Sequence, residues 1–248
     1  MCRIAAYSGP SRPLEDVIVR PSHSLLTQSQ HAEEAKLAVN GDGFGVSWYR
    51  EADVIPGVYR DVMPAWSDSN LTSLSRMVSS HLFIAHVRAS TTGATSRENC
   101  HPFTFSNWSF CHNGQVPHIN RIRRDLEVAL PDDLYNARRG TTDSELIFLT
   151  LLRHGLAYDV DRAWAATLAD FKPNLGEKPV RMTCVFSDGK TLLAMRYASD
   201  NKCPTLYMSD WEGGRLLASE PLGGDMNAWT AVTPNKVLRI SAAGLVES

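Results

Sequence analysis

No run of apolar residues approaches the roughly 20 needed to cross a bilayer as a helix. Nor do the first residues carry a basic stretch followed by an apolar core and a cleavage site, so no secretory leader is visible. Cysteine is scarce and odd in number, five at irregular spacing. That excludes a regular disulfide framework and fits a reducing, cytoplasmic setting. Cys-x-x-Cys and His-Glu-x-x-His are both absent and the eight histidines are scattered, so neither a metal site nor a cofactor is expected. Charge of one sign is also lacking: 25 basic and 27 acidic side chains leave a net −2, which supports neither a nucleic-acid partner nor an acidic membrane surface. There is no internal repeat, low-complexity segment or linker. With 43% hydrophobic residues in 248, the material for a sizeable core is present, and a single domain spanning 1–248 is the expectation.

What is there is a strand-rich beginning and end with helices between. Cys2 to Tyr7 reads as a strand closed by the turn signal Ser8-Gly9-Pro10. Val17 to Val19 is a short apolar patch, and Ser24 to Gln30 is polar and ambiguous. Val46 to Tyr49 is a strand, Asn70 to Val78 a short helix, and Leu82 to Val87 a strand buried on both faces. Asn107 to Cys111 is the next strand. Ile119 to Leu130 reads as one amphipathic helix, Pro131 to Arg139 as a polar connection. Leu146 to Leu152 and Asp159 to Phe171 are two further helices. From Val180 the pattern turns to strands: Met182 to Phe186 and Thr191 to Arg196 around Ser187-Asp188-Gly189-Lys190, Thr205 to Met208 and Leu216 to Ser219 around Gly213-Gly214, then Val237 to Ile240. Strands segregated from helices in this way predict an α+β fold.

Five features carry chemistry. Cys2 follows the initiator methionine, whose removal would leave a thiol and a free α-amine on one residue, a nucleophile beside its own base; the plainer alternative is a small buried apolar residue opening a strand. Asn40-Gly41-Asp42-Gly43-Phe44-Gly45 signals a sharp turn or a close backbone approach. No helix pattern follows it, so it is not a dinucleotide fingerprint. Arg88, at the end of a buried strand, requires an anionic partner, either an internal carboxylate or that of a small substrate. Asn113-Gly114 after an apolar run reads as a type I′ hairpin turn, which could also aim an amide and an N–H at one developing oxyanion. Asp143 sits where a helix N-terminus prefers an acid, and where a substrate ammonium could be held.

In order, Met1-Cys2-Arg3, Asp42-Gly43-Phe44-Gly45, Arg88 with Thr91, Asn99-Cys100-His101-Pro102-Phe103, His112-Asn113-Gly114, Thr142-Asp143-Ser144-Glu145 and Ala218-Ser219-Glu220-Pro221-Leu222 resemble the class II glutamine amidotransferases, members of the N-terminal-nucleophile hydrolases. The likeness is greatest to the small stand-alone branch of YafJ-like proteins, the yeast glutathione-degrading amidotransferase-like protein and the ergothioneine-pathway γ-glutamyl hydrolase. Phe44 departs from the Trp frequent in relatives, and Thr92 from the His of glucosamine-synthesising members. The resemblance implies a four-layer αββα sandwich of two mainly antiparallel sheets. It implies that Cys2 attacks a γ-carbonyl to form a γ-glutamyl thioester, that Asn113 and the Gly114 N–H hold the oxyanion, that Arg88 supported by Thr91 holds the α-carboxylate, and that Asp143 holds the α-ammonium. His101 and His112 either order loops or touch substrate. The implied activity is hydrolysis of a γ-glutamyl amide. The alternatives are a glutaminase subunit passing ammonia to a separate synthase, and a glutamine-binding sensor without turnover.

Overall fold

The computed structural model describes residues 2–35, 37–90, 94–171, 178–241 and 246–247. Strand β1 (Arg3–Pro13) is followed by helices α1 (Glu15–Ile18) and α2 (Leu25–Gln30), strands β2 (Phe44–Arg50) and β3 (Asp53–Asp61), helix α3 (Ser69–Met77) and strand β4 (Ser79–Val87). Then come β5 (Phe103–Phe105), β6 (Trp108–Gln115), and helices α4 (Arg123–Val128), α5 (Asp132–Ala137), α6 (Asp143–Arg153) and α7 (Val160–Phe171). Strands β7 (Arg181–Ser187), β8 (Thr191–Ala198), β9 (Tyr207–Trp211), β10 (Gly214–Ala218), β11 (Trp229–Ala231), β12 (Val237–Ser241) and β13 (Val246–Glu247) complete the described chain.

The strands form two sheets, one in the order β11-β9-β10-β1-β4-β2-β3 and one in the order β13-β12-β8-β7-β6-β5. Every described pairing is antiparallel. Alternation along each strand sorts side chains between layers. Ala5 and Tyr7 pack outward with Val17, Leu25 and Leu71 of the first three helices. Ile4 and Ala6, on the other face of β1, meet Cys111, Val185 and Ala194 of the second sheet. Phe110, Cys184 and Phe186 face away from that interface and pack on Phe148, Leu151 and Trp164. Three cores between four layers give the αββα sandwich. Among the described residues no helix is long and apolar enough to cross a membrane.

Several expectations need correction. The chain does not turn at Ser8-Gly9-Pro10. It continues as β1, with a register shift between Ser8 and Arg12, because a bulge accommodates Gly and Pro without ending the strand. Asn113-Gly114 is not a hairpin turn: β6 runs straight through it, with Asn113 opposite Thr183 and Gly114 opposite Met182. The local Asn-Gly signal was overruled because the pairing partner, β7, arrives from far along the chain. The single helix expected over Ile119 to Leu130 is a 3-10 turn at Ile119–Arg121 followed by α4. Its apolar residues lie three or four apart, so Ile119, Leu126 and Leu130 reach the core under either winding. The connection Pro131 to Arg139 contains α5, whose Asp132 and Asp133 lie in the first turn and whose Leu134 is buried. Strand β9 begins at Tyr207 rather than Thr205. Strand β3 was missed because Pro56 and Gly57 read against a strand; it lies at a sheet edge, where proline's missing donor is tolerated.

The glycine cluster before β2 does mark a close backbone approach. A Cβ on Gly45 would lie 2.2 Å from the His101 carbonyl oxygen and 3.0 Å from that of Tyr59. On Gly41 it would meet only the rim of the Trp66 ring, at 2.8 Å. We therefore expect Gly45→Ala to lose about 2–3 kcal/mol, the upper range for overpacking, or roughly 4–12 °C in Tm for a chain of this size. Gly41→Ala should lose far less, since a half-buried side chain can swing aside. Equal melting temperatures for the two variants would contradict the assignment.

Candidate functional site

The candidate residues gather where β1, β4 and β2 share one end. Val87 of β4 faces Arg3 of β1 on one side and Phe44 of β2 on the other. One step further, the Arg88 N–H donates to the Gly43 carbonyl at 2.8 Å and the Asp42 N–H to the Arg88 carbonyl at 3.0 Å. Across β1 the Cys2 sulfur lies 3.4 Å from the Ala89 nitrogen, which donates to it, and 3.6 Å from the Ala89 carbonyl. Alternation places His86 and then Arg88 on the face of Ile84, the face turned toward the second sheet. Arg88 is buried, and its guanidinium donates to the Asp42 carbonyl at 3.4 Å. The Asp42 carboxylate accepts from the Ser90 N–H at 2.7 Å, tightening the same corner. Thr91 and Thr92 lie outside the described residues. Burial pushes the Cys2 thiol upward, while the Ala89 backbone and the charges of Arg88 and Arg3 pull the other way.

The second sheet supplies Asn113 and Gly114. Asn113 lies two residues beyond Cys111 and so on the same inter-sheet face. The Cys111 thiol is raised first by burial and then by the nearby Cys2, which puts this face of β6 toward the Cys2 end of the first sheet. Asn113 is fully buried, and neither its amide oxygen nor its amide nitrogen has a hydrogen-bond partner among the described residues. Gly114 has φ +151°, and a Cβ there would lie 1.9 Å from the Arg181 carbonyl oxygen. The position thus requires glycine.

Asp143 opens α6, behind the Thr142 cap that accepts from the Glu145 N–H at 3.1 Å. Its carboxylate also reaches sideways. One oxygen accepts from the Val116 N–H at 2.9 Å, the other from the Ser144 N–H at 3.0 Å. Asp143 thereby ties the end of β6 to the start of α6 and keeps a lone pair on each oxygen for another donor. Asn99 stitches a neighbouring loop to the same helix start: its Oδ1 accepts from Thr141 N and its Nδ2 donates to the Ala94 carbonyl.

Three histidines back the site. The ring of His101 packs against that of His86 in a tilted arrangement, 4.1 Å between centroids, and His112 Nδ1 lies 2.8 Å from the Ser144 hydroxyl. Burial, reinforced by the Arg88 charge, lowers His86 to about 3. Burial and neighbouring imidazoles hold His101 well below its usual value, and burial lowers His112. All three are neutral near pH 7. His86 was missed in the sequence because it sat within an apolar strand pattern. Also missed were Arg3 and Glu220, a buried ion pair at 2.8 Å; the signal was the charged residue in each of the motifs Met1-Cys2-Arg3 and Ser219-Glu220-Pro221. Among the described residues, no cluster of three or more His, Cys, Asp or Glu could hold a metal ion. A cleft of about 650 Å³ lined by Arg12, Trp211 and Trp229 opens at the far end of β1 and shares none of these residues.

Residues 15–209 match the family model of class-II glutamine amidotransferases; Cys2 precedes the matched span. The chain is 30% identical to a probable glutamine amidotransferase, DUG3, of Saccharomyces cerevisiae, over 97% of this chain and 82% of that one. It is 28% identical to the gamma-glutamyl-hercynylcysteine sulfoxide hydrolase of Mycolicibacterium smegmatis, over 99% of this chain and 98% of that one. The solved structure of a glutamine aminotransferase class-II domain protein from Silicibacter pomeroyi superposes with a TM-score of 0.77 at 38% identity, covering 98% of this chain and 96% of the other.

The buried histidines make stability depend on pH. In the unfolded chain each titrates near 6.5; folded, His86 titrates at about 3. Between those values the unfolded state binds the extra proton, so stability is present above about pH 6.5 and falls as pH drops toward 3. For His86 alone the loss between pH 7 and pH 5 is about 2 kcal/mol. Urea unfolding of wild type and His86→Gln at both pH values should show the smaller decline in the variant. Parallel declines would mean that His86 is protonated in the folded protein.

Proposed function

The chain belongs to the class II glutamine amidotransferases, and we propose that within this family it hydrolyses a γ-glutamyl amide through Cys2, releasing glutamate and an amine. Loss of Met1 frees the α-amine of Cys2, whose ordinary pKa of about 7.7–8.0 suits a base at neutral pH. The amine takes the thiol proton, and the sulfur attacks the γ-carbonyl. The Asn113 Nδ2–H and the Gly114 N–H hold the tetrahedral oxyanion. As the C–N bond breaks, the proton passes to the leaving amine. Water then attacks the γ-glutamyl thioester, with the α-amine as base, and the thiol is restored. Arg88 holds the substrate α-carboxylate with Thr91 beside it, and Asp143 holds the α-ammonium.

The observation that carries this reading is Asn113. A buried amide with no partner costs about 1–3 kcal/mol, and the Asn113 amide has none among the described residues. A developing oxyanion supplies an acceptor for the Asn113 Nδ2–H. The choice of hydrolysis over ammonia transfer is supported by the hydrolase of Mycolicibacterium smegmatis, which is matched over nearly the full length of both chains. A substituted γ-glutamyl amide is therefore the expected substrate class, ahead of glutamine.

The test offers the purified protein glutamine, glutathione and other γ-glutamyl amides and measures glutamate, with intact mass confirming that the chain begins at Cys2. Glutamate should appear fastest from a substituted amide. Asn113→Ala should lower kcat by about 10²–10³, the effect of removing one oxyanion donor, with KM little changed. Arg88→Ala and Asp143→Asn should fold and lose kcat/KM by on the order of a hundredfold, as when a charge-assisted contact of about 3 kcal/mol is removed. Asparagine is the milder replacement at Asp143, because its one oxygen keeps an acceptor for one of the Val116 and Ser144 amides, whereas alanine strips both. Release of glutamate from none of the compounds by processed protein would overturn the hydrolase reading. Glutamine bound without turnover would make the protein a sensor, and turnover that requires a co-purifying protein would make it an ammonia-donating subunit.

A further inference from the structure

Cys2 lies one residue beyond the last described β1–β4 register pair, Arg3 opposite Val87. Once Met1 is removed, no preceding peptide holds it either. Its orientation then rests on its sulfur, against Ala89, and on its carbonyl. That carbonyl accepts from Arg3 Nε at 2.7 Å. The other arm of the same guanidinium, Nη1, donates to Glu220 Oε1 at 2.8 Å. Both side chains are buried, Arg3 0% and Glu220 1% exposed.

Glu220 is in turn held from four directions. Its Oε1 also accepts from the Glu34 N–H at 2.9 Å, and its Oε2 from the Glu33 N–H at 3.0 Å, with His23 Nε2 at 2.8 Å. Its backbone carbonyl accepts from Gln28 Nε2 at 3.1 Å. Ser219, just before it, grips the chain next to the nucleophile: its hydroxyl accepts from the Ile4 N–H and its N–H donates to the Ile4 carbonyl, both at 2.9 Å. A buried ion pair contributes little net stability against an apolar replacement. This pair instead holds the guanidinium so that its Nε–H meets one backbone oxygen.

We infer that Arg3 and Glu220 are positioning residues of the proposed reaction: Glu220 fixes the guanidinium of Arg3, which holds the Cys2 carbonyl and so sets the rotation that presents the Cys2 amine and thiol together. The inference rests on the reading of Cys2 as nucleophile. It explains why arginine stands at position 3. Lysine could pair with Glu220, but its single ammonium lacks the fork that reaches the Cys2 carbonyl as well.

The test uses processed full-length protein and a diazoketone glutamine analogue, with peptide mapping of the modified cysteine, kcat, KM, glutamate affinity and Tm. Wild type should be modified at Cys2. Arg3→Lys keeps the charge pair, so it should melt near wild type and bind glutamate equally well. Its kcat and rate of Cys2 modification should nevertheless fall by about ten- to a hundredfold, the scale for a misplaced reacting group. Glu220→Gln, which keeps the shape and loses the charge, should shift the same two rates in the same direction without raising KM. Wild-type modification rates per folded molecule in either variant, whatever the change in Tm, would overturn the positioning role and leave Cys2 as the nucleophile. Modification of wild type at another cysteine would instead overturn the nucleophile assignment.

Discussion

The double register at Val87 is the constraint on which the rest depends. Because β4 pairs with β1 on one side and β2 on the other at this residue, Cys2, Arg88 and Gly43 end their strands side by side. Ladder hydrogen bonds set those neighbours to within a fraction of an ångström, and a one-residue slip of β1 would turn Ile4 out of the inter-sheet core and carry Cys2 away from Ala89. The apolar alternation of β1, with Ile4 and Ala6 on one side and Ala5 and Tyr7 on the other, makes that slip costly. The energy that aligns the candidate nucleophile is thus hydrophobic burial well away from it.

The second sheet meets this corner through polar groups that an ordinary sandwich core would exclude. His86, Arg88 and Asn113 are all buried. Charging a buried imidazole beside Arg88 would add like-charge repulsion to desolvation, and His86 and His101 accordingly stay neutral. The two neutral imidazoles pack against each other, tilted, near the arginine. The backbone at this corner is just as tightly specified: Gly45 leaves room for the His101 carbonyl and Gly114 for that of Arg181.

Much of this was legible in the sequence wherever pattern and chemistry agreed. The buried strand ending in Arg88, the helix opening at Asp143 and the glycine-marked close approach before β2 all stand where the residues put them, because each rests on local chemistry. Asn113-Gly114 misled for the complementary reason. Its turn propensity is local, while its pairing with Thr183 and Met182 is long-range and prevails. The Arg3–Glu220 pair spans nearly the whole chain, and no periodicity connects its ends. The roles given to Asn113, Gly114, Arg88, Thr91 and Asp143 came from ordered resemblance rather than from spacing. Thr91 lies outside the described residues.

Asp143 shows how a structural role and a proposed chemical one can coincide. As the first residue of α6 it adds negative charge to a helix N-terminus. Through Val116 it anchors the end of the strand that carries Asn113. The Val116 and Ser144 backbone donors hold both carboxylate oxygens in place. The contacts that hold it also fix its direction, which would limit the side-chain entropy lost in the proposed binding. The helix-capping explanation of this residue and the substrate-binding one therefore do not compete: the first supplies the rigidity that the second requires.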